Sequence, residues 1–448
     1  MRRKFNNQMD LFSIKANSQI AMELEQMSFI LDENPGLLDL VFEDITKTRR
    51  DDTGREGMTA EQVLRSAILK QYRQLSYEEL EFHLEDSWAL RAFARLVMGQ
   101  YPCKSVLQGN IKSLSEGTWE AINQQMLVYA KQEGMEAGKK VRIDSTAVET
   151  DIHHPTDSTL LQDGIRVMTK LLDSCKGLRP QPLYEYVDHT RVVKKRVMAI
   201  LNAKKDKVRR AAYRDIIRYA KMIQGYAQDA MVELRSYKTF EASMRVEEMD
   251  QVAGLLAKVI DQSERRVIKG EKVPSGEKVV SFFEDHTDII VKGQRDTQYG
   301  HKVFLSGGSS CMILDCVIEK GNPADSTLYQ KMLVRHGEIY GQAPRQVSAD
   351  GGFACQENLA YAKANGVKDA VFAKKRGLSV LDMAKSSWVY KKLRNFRAGI
   401  EACISAMKRA FGFDRCTWSG LDGFKRYVWS SVVSYNLLVM VRIRLLRA

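Results

Sequence analysis

Apolar positions along this chain change their spacing from one stretch to the next. Over residues 1–135 they recur every three or four positions, the period of one helix face. Thr59 with Gln62, and Ser76 with Glu79, match the capping box that opens a helix. The first cap is followed by Val63, Ala67, Ile68, Leu69 and Tyr72. The second is followed by Leu80, Leu84, Trp88, Leu90, Phe93 and Leu96. Two short helices joined at Gln74-Leu75 predict a helix-turn-helix or a plain helical bundle. At 139–150 the period drops to two, through Val141, Ile143 and Asp144-Ser145-Thr146-Ala147-Val148, which predicts a strand. Residues 155–280 return to the helical period and are polar.

A second β-rich region begins near 285. His301–Ser306 and Cys311–Glu319 flank the turn Gly307-Gly308-Ser309-Ser310, which predicts a hairpin. Gly321-Asn322-Pro323 interrupts the chain, and Asp325 can cap a helix through about His336. Pro344–Ala349 forms a short strand ending at Asp350-Gly351-Gly352. A helix over about Gln356–Asn365 stops at Gly366, and Lys368–Ala373 makes another strand. Residues 388–412 carry an apolar stripe of Phe396, Ile400, Cys403, Ile404, Met407 and Phe411. The order β-β-β-α-β-α-β, with a long helical interruption after the first strand, predicts an α/β fold with a mixed sheet flanked by helices.

Composition narrows the partner. Lys and Arg exceed Asp and Glu by 13 and the pI is about 9.2, which favours a polyanion, most often nucleic acid. Between Glu185 and Lys221 twelve Lys/Arg face four Asp/Glu. Lys207, Arg210, Arg214, Arg218 and Lys221 share one helix face there, which suits tracking along phosphates. The seven cysteines are scattered with no C-x-x-C pair, so neither a disulfide framework nor a zinc site is expected, and a reducing cytoplasm fits. His153-His154 fits a loop. The basic start lacks the apolar core of a signal peptide. The apolar stretch Tyr427–Leu446 contains Ser430, Ser431, Ser434, Asn436, Arg442 and Arg444, so it predicts a buried helix rather than a membrane span. No phosphate-binding G-x-x-x-x-G-K-[ST] loop is present, so no nucleotide cofactor is expected.

Candidate chemistry rests on three carboxylates. Asp144 and Asp350 each lie on or just after a short apolar strand, where ligands gather in α/β sheets. Glu401 shares a helix sector of roughly 60° with Arg394, Arg397 and Lys408, beside the apolar stripe. Two strands and a helix would then supply an all-oxygen site suited to Mg²⁺, with Mn²⁺ as a substitute. Two such ions about 3.5–4 Å apart clamp the attacking and leaving oxygens of a phosphoryl transfer.

The sequence resembles the DDE transposases of bacterial insertion sequences. The matching pieces are Arg142-Ile143-Asp144-Ser145-Thr146, Val347-Ser348-Ala349-Asp350-Gly351-Gly352, and Arg397-Ala398-Gly399-Ile400-Glu401 followed by Lys408. Arg397, Glu401 and Lys408 keep the spacing of the family's Tyr-x2-Arg-x3-Glu-x6-Lys signature, with Arg394 where the family has Tyr. The tail Arg415-Cys416-Thr417-Trp418-Ser419-Gly420-Leu421 is similar too. The resemblance implies a ribonuclease-H-like five-stranded sheet, with Asp144, Asp350 and Glu401 catalytic and metal-binding. It implies that Arg394, Arg397 and Lys408 contact DNA, and that residues 1–135 form a helical DNA-binding domain. Residues 136–154 then supply the first catalytic strand, 155–285 a basic insertion, and 286–448 the rest of the catalytic domain. The implied partners are double-stranded DNA, as element ends and as target, and a second copy of the chain in a homodimer. A metal-dependent nuclease of the same fold and a non-catalytic DNA-binding derivative are the competing readings.

Overall fold

The computed structural model describes residue 4 and residues 18–47, 57–178, 184–291 and 297–447. The chain divides into two compact units, Met1–Thr150 with Gly300–Ala448, and Asp151–Tyr299.

The first unit is built on a mixed sheet. Its strands are β1 (Lys140–Glu149), β3 (Gln298–Gly307), β4 (Ile313–Ile318), β5 (Gln346–Ala349) and β6 (Asp369–Phe372). The short β2 (Asp288–Ile290) falls in the second unit. β1 is central. It runs antiparallel to β3, with Asp144 opposite Leu305, and parallel to β5, with Ile143 opposite Ala349. β3 pairs antiparallel with β4, and β5 parallel with β6. All residues of β4 and β6 are buried, as expected of strands covered on both faces.

The β3–β4 turn is held from outside. The buried Glu136 accepts from Ser310 N at 2.8 Å and Ser310 Oγ at 2.7 Å. Helix Asp325–Tyr340 links β4 to β5, and Gln356–Ala364 links β5 to β6. Helix Ser387–Ala410 packs over β1, β5 and β6.

The closing helix, Leu421–Arg447, lies in the core, with 72% of its most apolar window buried. Its polar interruptions make internal bonds. Asn436 donates to Asn123 Oδ1 at 2.7 Å and Ile313 O at 2.6 Å, and accepts from Ile313 N at 2.8 Å. This ties the helix to β4 and satisfies a buried amide that would otherwise be costly.

Both N-terminal capping boxes form as the sequence predicts, at Thr59/Gln62 and Ser76/Glu79. The turn between them passes through Gln74 at φ 52°. Helix Ala60–Tyr72 is buried from Ala60 through Gln71 and packs on Gly36–Thr46 and Leu421–Arg447. It shares one hydrophobic core with the sheet. Only about half of its positions are apolar, but Arg65 is neutralised inside by Asp32 at 2.6 Å and Glu61 at 3.0 Å. The next helix, Tyr77–Asp86, exposes Glu78, Glu79, Phe82, Glu85 and Asp86. Such an acidic face repels phosphates.

The second unit has its own core. Helices Asp157–Cys175, Thr190–Asn202, Asp206–Ser236 and Phe240–Ser263 pack around Leu161, Ile165, Met168, Ile216, Ile223, Leu256 and Val259. This unit spans Asp151–Tyr299.

Candidate active site

Parallel pairing of β1 with β5 sets the first two carboxylates side by side. Ile143 and Ala349 form the last paired positions, and Asp350 N donates to Ile143 O at 3.2 Å. Asp144 and Asp350 therefore leave the same rung. β5 ends because Gly351–Phe353 turns into a short 3₁₀ helix, with Asp350 Oδ2 accepting from Gly352 N at 3.4 Å. The third carboxylate arrives from above. Burial of Leu393, Ile400, Cys403 and Met407 fixes the roll of helix Ser387–Ala410, and that roll puts Arg397 and Glu401 over the strand ends.

A single guanidinium joins all three. Arg397 Nη1 lies 2.8 Å from Asp144 Oδ2 and 3.2 Å from Asp350 Oδ1, while Nη2 lies 2.6 Å from Glu401 Oε1. Exposure rises outward: 14% for Asp144, 15% for Arg397, 39% for Asp350 and 60% for Glu401. The Asp144–Arg397 pair is the sheltered floor of the site, and Glu401 stands at its mouth.

Behind Asp144 lies a second layer. Ser145 N donates to Asp144 Oδ1 at 2.8 Å, and Ser145 Oγ donates to Asp325 Oδ1 at 3.0 Å. Lys302 Nζ sits 2.7 Å from the same Asp325 oxygen and donates to Pro323 O at 3.1 Å. A Cβ on Gly352 would stand 2.1 Å from Asp325 Oδ2, so only glycine lets the Asp350 loop approach this carboxylate. Asp325 was expected to cap its helix. The cap position is Ala324, with no side-chain bond, and Asp325 braces Ser145 instead. Lys302 gave no sequence signal beyond a charge in an apolar strand, and Asp325 none beyond that of a helix cap.

Lys408 Nζ donates to Ala147 O at 2.9 Å and Asp414 Oδ1 at 3.0 Å, bracing β1 against the following loop. Arg394 is exposed on the same helix, with no acidic partner among the described residues. Arg142, two residues before Asp144, is buried and runs beneath the helix to Phe396 O at 3.3 Å. A Cβ on Gly399 would lie 1.9 Å from Arg142 Nη1, which explains the glycine between Arg397 and Glu401. Lys140 stacks over the Phe396 ring at 4.0 Å. Burial, then Lys392 and Arg142 nearby, hold its ammonium below the usual lysine range.

In the second unit, Lys207, Arg210, Arg214, Arg218 and Lys221 are all exposed along helix Asp206–Ser236. The face is less one-signed than the spacing implied. Arg210 pairs with Asp206 at 2.6 Å, Arg218 approaches Asp215 at 3.8 Å, and Lys221 pairs with Glu264 at 2.7 Å. Lys207 and Arg214 have no acidic partner among the described residues.

The donor set suits a hard divalent cation. It consists of carboxylate oxygens, and three formally negative groups share one formal positive charge. Arg397 Nη1 already marks a cation position between Asp144 and Asp350. No three acidic, histidine or cysteine side chains among the described residues are grouped closely enough to hold an ion.

Residues 285–437 match the family described as Transposase DDE domain. That span, about a third of the chain, is similar to a transposase DDE domain. Asp350 and Glu401 lie inside the matched span, and Asp144 precedes it. No curated protein and no solved structure gave a match. The match supports a transposase- or nuclease-type enzyme.

Proposed function

We propose that this chain is an insertion-sequence transposase that binds the inverted ends of its element, cleaves there, and joins the 3′ ends to target DNA. The observation that carries the reading is the meeting of Asp144, Asp350 and Glu401 on Arg397. Three carboxylates so far apart in sequence converge at strand ends under one helix of a DDE domain, in a ribonuclease-H-like arrangement. Asp144, Asp350 and Glu401 would hold Mg²⁺, two ions in all, with Mn²⁺ as a substitute. The ions would activate water or a 3′-hydroxyl and stabilise the departing oxyanion.

The chain's own residues do the positioning. Ser145 and Asp325 fix the Asp144 carboxylate through its backbone neighbour. Arg397 neutralises the carboxylates while no metal is present, and beside a bound phosphate its donors can turn to the phosphate oxygens. Lys408 keeps β1 and the helix in register, so its contribution to DNA contact is indirect. Arg394 and the basic face of helix Asp206–Ser236 meet the DNA backbone. Bringing two ends together calls for a homodimer on DNA.

Glu401→Gln tests the reading. The substitution keeps shape and removes the charge at the most exposed carboxylate. Cleavage of element-end DNA with Mg²⁺ present should vanish, while band-shift affinity for that DNA persists. Undiminished cutting by the variant would remove Glu401 from the chemistry. Cutting by the wild type without any strand joining would favour a nuclease.

A further inference from the structure

Arg142 is a buried guanidinium with no carboxylate in ion-pair range among the described residues. Its side-chain acceptors are two sulfurs. Nη2 lies 3.2 Å from Cys311 Sγ and 3.6 Å from Cys403 Sγ. A buried charge without a counter-charge is costly. A thiolate at either sulfur would supply a counter-charge.

The two cysteines differ in access. Cys311 is exposed, in the β3–β4 turn at φ 70°. Cys403 is buried on the Glu401 helix, with its thiol 3.5 Å from Cys311 O and 3.3 Å from Gly399 O. Both sulfurs meet the same Arg142 nitrogen, which brings the two thiols together.

We propose that Cys311 and Cys403 form a redox-sensitive thiol pair, in which exposed Cys311 reacts first with a peroxide and buried Cys403 resolves it to a reversible disulfide. The Cys311 thiolate attacks one peroxide oxygen. An S–O bond forms, the O–O bond breaks and hydroxide (or alkoxide) leaves, so the sulfur is oxidised and the peroxide reduced. Cys403 sulfur then attacks Cys311 sulfur. The S–S bond forms, the S–O bond breaks, and the departing hydroxide takes the Cys403 proton as water. The neighbouring Cys403 thiol, and then Arg142, hold the Cys311 thiol well below its usual range against the effect of burial. The disulfide is neutral and leaves Arg142 without its counter-anion, so the reduced form is favoured and the bond yields readily to thiols. The cross-link would join the β3–β4 turn to the catalytic helix two residues beyond Glu401. This chemistry does not depend on the proposed transposition activity.

Limited hydrogen peroxide, followed by alkylation and peptide mapping of the full chain, tests the pair. The expected product is a Cys311–Cys403 linked peptide that dithiothreitol reverses. At pH 6, Cys311 should alkylate about tenfold faster than N-acetylcysteine. Cys403→Ser should stop at a dimedone-reactive sulfenic acid on Cys311, and Cys311→Ser should leave Cys403 unmodified. Alkylation of Cys311 no faster than the small thiol, or oxidation of Cys311 without linkage to Cys403 in the wild type, would overturn the proposal.

Discussion

Replacing Arg397 by Met keeps most of the apolar stem and removes the charge shared by three carboxylates. The cost can be built from exposure. Asp144 and Arg397 are 14% and 15% exposed, so their pair is largely withdrawn from water. Breaking a fully buried pair costs about 3–5 kcal/mol, because one charge is left behind uncompensated. Asp350 and Glu401 are much more exposed and contribute about 0–1 kcal/mol each. Partial access of water to Asp144 lowers the first figure, so the variant should lose about 2–3 kcal/mol in chelator. Divalent cation should reverse this. At about 100 times its dissociation constant, a ligand bound only by the folded state adds about 2.7 kcal/mol. The variant should gain more from Mg²⁺ than the wild type, which must displace a guanidinium to bind it. Urea unfolding followed by tryptophan fluorescence is the assay, since Trp88, Trp119, Trp388, Trp418 and Trp429 all belong to the first unit. Equal stability of the two proteins in chelator, or a larger Mg²⁺ effect on the wild type, would refute the idea that Arg397 fills the cation position.

The remaining predictions bear on other parts of the molecule. Gly352→Ala should push Asp325 away from Ser145, cost about 1–3 kcal/mol by overpacking, and slow cleavage, read by urea unfolding and gel assay. Burial holds His336 down at about 4, so the unfolded chain takes up the proton first as pH falls. Stability complete above pH 6.5 should therefore decline toward pH 4, by about 3 kcal/mol for this group, and His336→Gln should remove that part of the slope. Lys207→Gln with Arg214→Gln should reduce the slope of log K against log salt for DNA binding by about 2, since these two lack acidic partners. An unchanged slope would make that helix face ordinary solvated surface.

Local rules carried much of the fold. Capping boxes, strand alternation and glycine stops act within one turn or one rung, so Thr59/Gln62, Ser76/Glu79, β1, β5, β6 and the Glu401 helix were legible from neighbouring residues. The apolar stripe of helix Ser387–Ala410 fixed which side faces inward, and with it the shared sector of Arg397 and Glu401. Periodicity says which face is buried but not what covers it. Helix Ala60–Tyr72 reads as half polar, yet tertiary packing encloses it on every side, because Asp32 and Glu61 neutralise Arg65 inside. The pairing of Arg397 with Asp144 spans 253 residues, and that of Arg142 with Cys403 spans 261. No spacing rule reaches that far. Such partners are chosen by which strands abut and how a helix rolls over them. The sequence by itself determined the three carboxylates, their order and the elements that carry them. Only the tertiary structure decided that one guanidinium holds all three, that Lys408 braces the backbone, and that two distant thiols share a buried arginine. Those contacts depend on chain closure over long loops, where the gain comes from desolvated charges meeting across elements rather than from any local preference of the backbone.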